Sequence, residues 1–293
     1  MMDFRPYRSM LFMPASNARA LEKARELPSD GVIFDLEDAV APDAKADARK
    51  QAVSALKAGG YGKRTRVVRI NGLDTSWWRE DLAAALEGQP DAVLVPKVED
   101  ASTLSRVEEE LAWLGGADKV ALWSMIETPK AYLRLEELAT VTDRQTTWVV
   151  GTNDLIKDLR ASHTKDRMPV MTALSMALLV ARAYGLTILD GVYGNFKDAD
   201  GFRTECVQAH EMGFDGKTLI HPSQVDAANE VFAPSGGDVA LARRMIAAFE
   251  EAKQRGAGVA VLDGRMVEEL HVVEARRQVA MAEAIAGMFP KGT

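Results

Sequence analysis

Val120–Pro129, VALWSMIETP, runs apolar for most of its length and stops at an acid, Glu127, followed by Thr128 and Pro129. A short apolar run bounded by a helix-starting signal reads as a buried strand of a parallel sheet. Pro129 suits the first position of the helix that follows. Twenty-seven residues on, Trp148-Val149-Val150 leads through Gly151-Thr152-Asn153 to a second acid, Asp154. Two acids at the ends of successive strands are placed to meet over one small cation.

The pattern continues in both directions. Apolar runs at Ser9–Met13, Gly31–Leu36, Arg66–Ile70, Ala92–Pro96, Thr187–Leu189 and Thr218–Ile220 are each followed by helical periodicity. With the two acid-ending runs they make eight βα units, which predict a closed (β/α)₈ TIM barrel. The residues at the strand ends are then expected at one mouth: Glu37, Asp38, Arg69, Lys97, Glu127, Asp154, Asp190 and His221. The barrel is expected to span 1–232. Residues 233–293, with a helix at Val239–Arg255 and another from about Met266, exceed what one closing helix requires and form a C-terminal helical extension, a lid or oligomer arm. Ser16 is the expected cap of the first helix, and 158–169 a polar loop near the site.

Composition excludes several classes. The chain has 293 residues, 47% hydrophobic and 27% charged, as a globular protein with a sizeable core requires. A net charge of −7 argues against nucleic acid as the main partner. Cys206 is the single cysteine, so no intrachain disulfide forms; it reads as a buried thiol. No run approaches the ~20 apolar residues of a membrane span, and the N-terminus lacks a signal-peptide core. The expectation is a soluble, cytoplasmic protein that engages no membrane.

Glu127 and Asp154 suit a hard cation such as Mg²⁺, which prefers oxygen ligands and keeps water or substrate oxygens in its shell. The alternative is two acids capping adjacent helices. The scarcity of alternative ligands, four scattered histidines and one cysteine, favours Mg²⁺ over Zn²⁺. Arg69 could grip a carboxylate with two hydrogen bonds or stabilise an oxyanion; an ion pair with Glu37 or Asp38 is the alternative. Gly216-Lys217-Thr218 lacks the upstream glycine of a phosphate loop and enters a strand, so it is rejected. No G-x-G-x-x-G or G-x-S-x-G is present. Of Trp77-Trp78, one ring is expected in the core and the other partly exposed. Met171 and Met176 read as core, His163 as solvated.

The blocks RSMLFMPAS, FDLEDAVAPDAKADAR, VRINGLDT, VPKVED, MIET and GFDGKTLIHPSQV, in this order, resemble the citrate lyase β-subunit-like family within the wider HpcH/HpaI aldolases, over residues 8 to 288. GTNDL, DGVYGNFKD and GRMVEELH look most like the branch containing (3S)-malyl-CoA thioesterase. The resemblance implies a Mg²⁺-dependent barrel, a homo-oligomer (trimer or hexamer) whose C-terminal segment closes over a neighbour's site. It implies an acyl-CoA lyase that cleaves malyl-CoA, β-methylmalyl-CoA or citramalyl-CoA to an acyl-CoA and glyoxylate or pyruvate. A thioesterase is the alternative, and a non-catalytic, complex-forming subunit the second. By the same resemblance Glu127 and Asp154 match the metal ligands and Arg69 a substrate-contacting arginine. Phe12 and Lys23 match coenzyme A contacts, and Asn153, Ile220 and His221 further substrate contacts. Glu268 matches an acid/base delivered by a neighbour, where several lyases have aspartate; the extra methylene shifts that carboxylate by about 1 Å, enough to affect rate. Asn17 stands where some lyases have a coenzyme A-binding arginine.

Overall fold

The structure, a computed structural model, describes residues 4–116 and 120–289. The last four residues of the expected extension, 290–293, lie outside the described residues. By internal contacts the chain divides into two compact units, Tyr7–Asn229 and Glu230–Thr293 with Met1–Pro6.

The first unit is the expected (β/α)₈ barrel. Its strands are β1 (Ser9–Pro14), β2 (Gly31–Asp35), β3 (Thr65–Arg69), β4 (Ala92–Val95), β5 (Ala121–Ile126), β6 (Gln145–Val150), β7 (Thr187–Asp190) and β8 (Gly216–Leu219). Each pairs in parallel with the next, and β8 pairs with β1 to close the ring. The helices between them are α1 (Ala18–Lys23), α2 (Lys45–Ala58), α3 (Trp78–Gly88), α4 (Ala101–Trp113), α5 (Pro129–Tyr132), α6 (Leu135–Thr140), α7 (Thr152–Asp158), α8 (Met168–Ala183) and α9 (Ala199–Met212), with α10 (Val225–Val231) after β8.

Alternation along the strands decides what faces inward. Met10, Ile33, Val67, Leu94, Trp123, Val149 and Leu189 fill the barrel as one apolar cluster, so it is a packed core and not a pore. Gly216 is dictated by a close approach: a Cβ there would lie 1.8 Å from the Tyr7 carbonyl oxygen.

The same alternation corrects one expected mouth residue. Leu189 points in, so its neighbour Asp190 points out, toward the helices, and is fully buried. It accepts from Lys217 Nζ at 2.6 Å and from Arg167, and Lys217 also reaches Glu205 at 2.6 Å. Burial would raise the Asp190 pKa, but Lys217 and Arg167 hold it below the usual range. Lys217, in the triplet rejected as a phosphate loop, is thus a wholly buried structural lysine. Lys217→Met is expected to lower stability by about 3 kcal/mol, because it deprives the fully buried Asp190 and the half-buried Glu205 of a cation and only Arg167 remains to hold Asp190. A wild-type urea midpoint would overturn that role.

Other expectations shift by local chemistry. Asn17, not Ser16, caps α1, accepting the Ala20 N–H at 3.0 Å. Trp78 is buried and Trp77 half-buried, as expected, and Cys206 is buried. Met176 is exposed rather than core, and Met171 half-buried.

The second unit holds α11 (Gly236–Gln254), the strands β9 (Ala260–Leu262) and β10 (Arg265–Val267), and α12 (Glu269–Met288). Asp263 and Gly264, both at positive φ, form the two-residue turn of the β9–β10 hairpin. Phe249, Ala252, Ala260, Val267 and Val272 give this unit its own small core. Among the described residues no helix is long and apolar enough to cross a membrane.

Candidate active site

The carboxyl ends of the strands surround a cavity of about 400 Å³. Its lining includes Phe12, Asp38, Arg69, Glu127, Asn153, Asp154 and Ile220, seven of the residues singled out in the sequence, together with Asp35 and Met125. Seven charged groups gather here: the carboxylates of Asp35, Glu37, Asp38, Glu127 and Asp154, and the cations of Arg69 and Lys97.

Arg69 ends β3, and its direct cross-strand partner on β2 is Asp35. Both point inward, so the guanidinium meets the carboxylate side by side. Nε donates to Asp35 Oδ1 and Nη2 to Asp35 Oδ2, both at 2.7 Å. Nη1 reaches Glu37 Oε2 at 2.7 Å and Asp38 Oδ2 at 3.5 Å. The expected pairs with Glu37 and Asp38 are present, but Asp35 is the principal partner and was not foreseen. Burial would lower the Arg69 pKa; Asp35, then Glu37 and Asp38, more than offset it and raise it. The side edge of the guanidinium is therefore spent. The guanidinium also lies against the Phe12 ring (4.8 Å to its centroid), and its Nη1 against Met125 Sδ (3.6 Å).

This frame is braced from behind. The buried Lys45 Nζ donates to the carbonyls of Leu36 (2.8 Å) and Glu37 (2.7 Å). Asp81 accepts from the Asn71 N–H (3.0 Å), from Asn71 Nδ2 (2.6 Å) and from Arg49 Nε (2.9 Å). The ends of β2 and β3 are thereby held at the geometry that Arg69 requires.

Glu127 follows β5 and is 2% exposed. Lys97, at a left-handed φ of 50°, turns its N–H onto Glu127 Oε1 at 2.7 Å. Lys97 Nζ lies 3.5 Å from Glu37, so one residue touches both halves of the site. Burial pushes the Glu127 carboxyl up to about 7, with Glu37 and Asp154 adding to the rise against the Lys97 N–H. A Cβ at Gly151 would fall 2.5 Å from Glu127 Oε2, so glycine there makes room for the carboxylate. Asp154 sits in the first turn of α7 on the same cavity.

Five carboxylates against two cations leave an excess of negative charge that a divalent ion would relieve. Among the described residues no three His, Cys, Asp or Glu converge on one point. A pair of oxygen donors fits Mg²⁺, which takes one or two carboxylates and fills its shell with other oxygens. It does not fit zinc.

Three of the residues that the resemblance gives as substrate contacts or acid/base do not line the cavity. Lys23 is the exposed last residue of α1. His221 caps the turn after β8, its Nδ1 receiving the Ser223 N–H at 3.2 Å. Glu268 lies in the second unit, at the start of α12, its N–H donating to His271 Nδ1 at 3.0 Å. The polar 158–169 loop does border the site. His163, Thr164 and Lys165, with Arg167, line a second cavity of about 590 Å³ that shares Thr152, Asn153 and Val192 with the mouth. Missed by sequence were Asp35, Gly151 and the Lys97 N–H.

Residues 8–222 match the HpcH/HpaI aldolase/citrate lyase family. The chain is 51% identical over 281 residues to a (3S)-malyl-CoA thioesterase of Cereibacter sphaeroides, covering 96% of each chain. It is 35% identical over 306 residues to an L-malyl-CoA/beta-methylmalyl-CoA lyase of the same species, again covering 96% of each. Among solved structures it resembles protein CitE of Mycobacterium tuberculosis in complex with magnesium, acetoacetate and coenzyme A. The TM-score is 0.76 and the identity 28%, over 97% of this chain and 100% of that one.

Proposed function

The chain belongs to the HpcH/HpaI aldolase/citrate lyase family, and from that premise we propose that its barrel mouth is a Mg²⁺-dependent site that breaks down a β-hydroxyacyl-CoA with a free carboxylate, of the malyl-CoA type. The observation that carries this is the opposition, in one cavity, of an acid pair, the buried Glu127 and the half-buried Asp154, and a guanidinium locked by Asp35 and Glu37. Glu127 and Asp154 would hold the ion. When bound, Mg²⁺ supplies Lewis acidity and a template for the carboxylate end of the substrate.

Arg69 presents the outer end of its guanidinium to the thioester carbonyl oxygen and stabilises the negative charge that develops there. Its orientation is set before substrate arrives, so little reorganisation is needed. Phe12 and Met125 cover its flank and keep water from competing for those N–H groups.

Two reactions make use of that stabilisation. In hydrolysis, water adds to the thioester carbonyl, the C–S bond breaks, and malate and the protonated coenzyme A thiol leave. The relatives at 51% identity support this reading, and it now stands ahead of cleavage. In C–C cleavage the β-hydroxyl loses its proton, glyoxylate or pyruvate departs, and the acyl-CoA enolate takes up a proton. The lyase at 35% identity supports this second reading. Glu268 is the candidate acid/base, carried by the second unit of a neighbouring subunit in a trimer or hexamer. That assignment, like those of Lys23 and His221 as substrate contacts, rests on family resemblance.

Incubating the protein with (3S)-malyl-CoA, with and without Mg²⁺, tests the proposal. Free thiol is followed with a thiol reagent and glyoxylate as its phenylhydrazone. Mg²⁺-dependent thiol release with malate and no glyoxylate is the expected result. Glyoxylate without thiol would establish the lyase instead, and neither product would overturn the proposal.

A further inference from the structure

Met125 is the last inward-facing apolar residue of β5, and it belongs to two places at once. It packs in the apolar cluster that fills the barrel, and it also lines the 400 Å³ cavity above that cluster. It is 6% exposed, so it forms the floor of the cavity rather than its rim. Its place follows from the period of the strand. Trp123 and Met125 point into the barrel, and Glu127 continues the same face at the mouth. Met125 is therefore one step below the acid assigned to the ion. Its neighbour across the sheet is Val149 of β6, also in the core cluster. Its Sδ accepts from Arg69 Nη1 at 3.6 Å. A methionine free on all sides adapts to most shapes; this one is pinned between the core and the guanidinium.

The reaction read above has two anchors, the ion at Glu127 and Asp154 and the guanidinium of Arg69. Met125 touches the second and lies below the first on the same strand face. In a malyl thioester the hydroxyl and carboxylate go to the ion, and the thioester oxygen goes to Arg69. A single carbon joins these two ends, the CH₂ next to the thioester carbonyl. Hydrolysis and C–C cleavage both place that carbon between the anchors, and Met125 is the side chain that closes the cavity there.

We propose that Met125 determines specificity by closing the floor beneath the carbon next to the thioester, so that substrates with a methyl group on that carbon are rejected; the inference rests on reading the mouth as a malyl-CoA-type site. β-Methylmalyl-CoA carries its methyl there. Citramalyl-CoA carries it on the hydroxyl-bearing carbon, at the ion, where Met125 does not act. The carbon in question becomes a stereocentre once methylated, and only one of its two epimers turns the methyl to the floor. One added carbon in an apolar pocket changes kcat/KM by about 10–200-fold.

The test measures kcat/KM for consumption of malyl-CoA, both β-methylmalyl-CoA epimers and citramalyl-CoA by the wild type, Met125→Ala, Met125→Val and Met125→Leu. Met125→Ala is expected to raise the ratio of one β-methylmalyl epimer to malyl-CoA by about tenfold or more. Met125→Val should fall between it and the wild type, and Met125→Leu, which keeps the volume, should stay near the wild type. The ratio is the readout because truncation beside Arg69 also lowers the rate on every substrate, and that common loss cancels. Thermal denaturation identifies a variant that does not fold, and the rest of the series then decides. A wild type that consumes both epimers as well as malyl-CoA overturns the proposal. So does an unchanged ratio in the folded truncations, or an equal gain on both epimers or on citramalyl-CoA, which would mark a general loosening. A wild type inactive on malyl-CoA overturns the reading of the mouth as well.

Discussion

Arg69→Met is expected to abolish turnover and, in the same protein, to lower stability by about 3–5 kcal/mol. The two effects have different origins and can be separated. Asp35 is 1% exposed, and two of its hydrogen bonds come from Arg69. Its remaining partners are the N–H groups of Glu37 (2.9 Å) and Ala39 (3.2 Å), which orient the carboxylate but bring no cation. Removing the guanidinium thus leaves a buried charge with no cation hydrogen-bonded to it, Lys45 acting on it only through space. The double variant Arg69→Met/Asp35→Asn removes that charge too, and should recover most of the stability and none of the activity. Arg69→Lys keeps the charge but not the fork that holds Asp35 and Glu37 together. A loss of about 10²–10³-fold in kcat is expected there, the range for removing one preorganised donor to an oxyanion. Urea unfolding and single-turnover rates on malyl-CoA measure the two effects. Activity above a tenth of wild type in Arg69→Met, or recovered activity in the double variant, would sink the catalytic assignment.

What the sequence disclosed follows from this geometry. Glu127, Asp154 and Arg69 were legible because a strand of period two announces its own end, and a charge at that end has few places to go. Asp35 was not, although it is only two residues before Glu37 in the same block. Its importance depends on standing opposite Arg69 across β2 and β3, and that register is a long-range fact no local pattern carries. Asp190 shows the same limit from the other side. An acid closing a strand faces outward as readily as inward, and one residue of phase exchanges the two faces. The apolar run Thr187–Leu189 did not carry that phase; Leu189 in the barrel core supplies it. The left-handed Lys97 was hidden because this conformation is announced by glycine or asparagine, and lysine announces nothing. The hairpin of the second unit carries a turn signal in Asp263-Gly264, yet only helices were expected there.

Glu127→Gln is expected to remove the response to Mg²⁺ while leaving the metal-free protein at least as stable as the wild type. Most substitutions of a buried, hydrogen-bonded acid destabilise a protein. This one should not, because the carboxylate is poorly compensated. It is 2% exposed, and its one hydrogen bond among the described contacts is the Lys97 N–H. Burial, with Glu37 and Asp154 nearby, holds its pKa up to about 7, so its ionised form is disfavoured in the folded chain. The amide keeps the shape beside Gly151 and removes the charge. An ion that binds only the folded protein raises its stability in proportion to the logarithm of its concentration over Kd, so thermal denaturation reports the site without any substrate. The wild-type Tm should climb as Mg²⁺ is added and that of Glu127→Gln should stay flat, while turnover of malyl-CoA falls by about a thousandfold. Asp154→Asn, on the same cavity, should flatten the Mg²⁺ response in the same way. If the Glu127→Gln Tm still rises with Mg²⁺ as in the wild type, the ion is held elsewhere. If the metal-free variant loses more than about 2 kcal/mol, Glu127 is a structural acid of the kind that Asp190 already exemplifies in the wall of the same barrel.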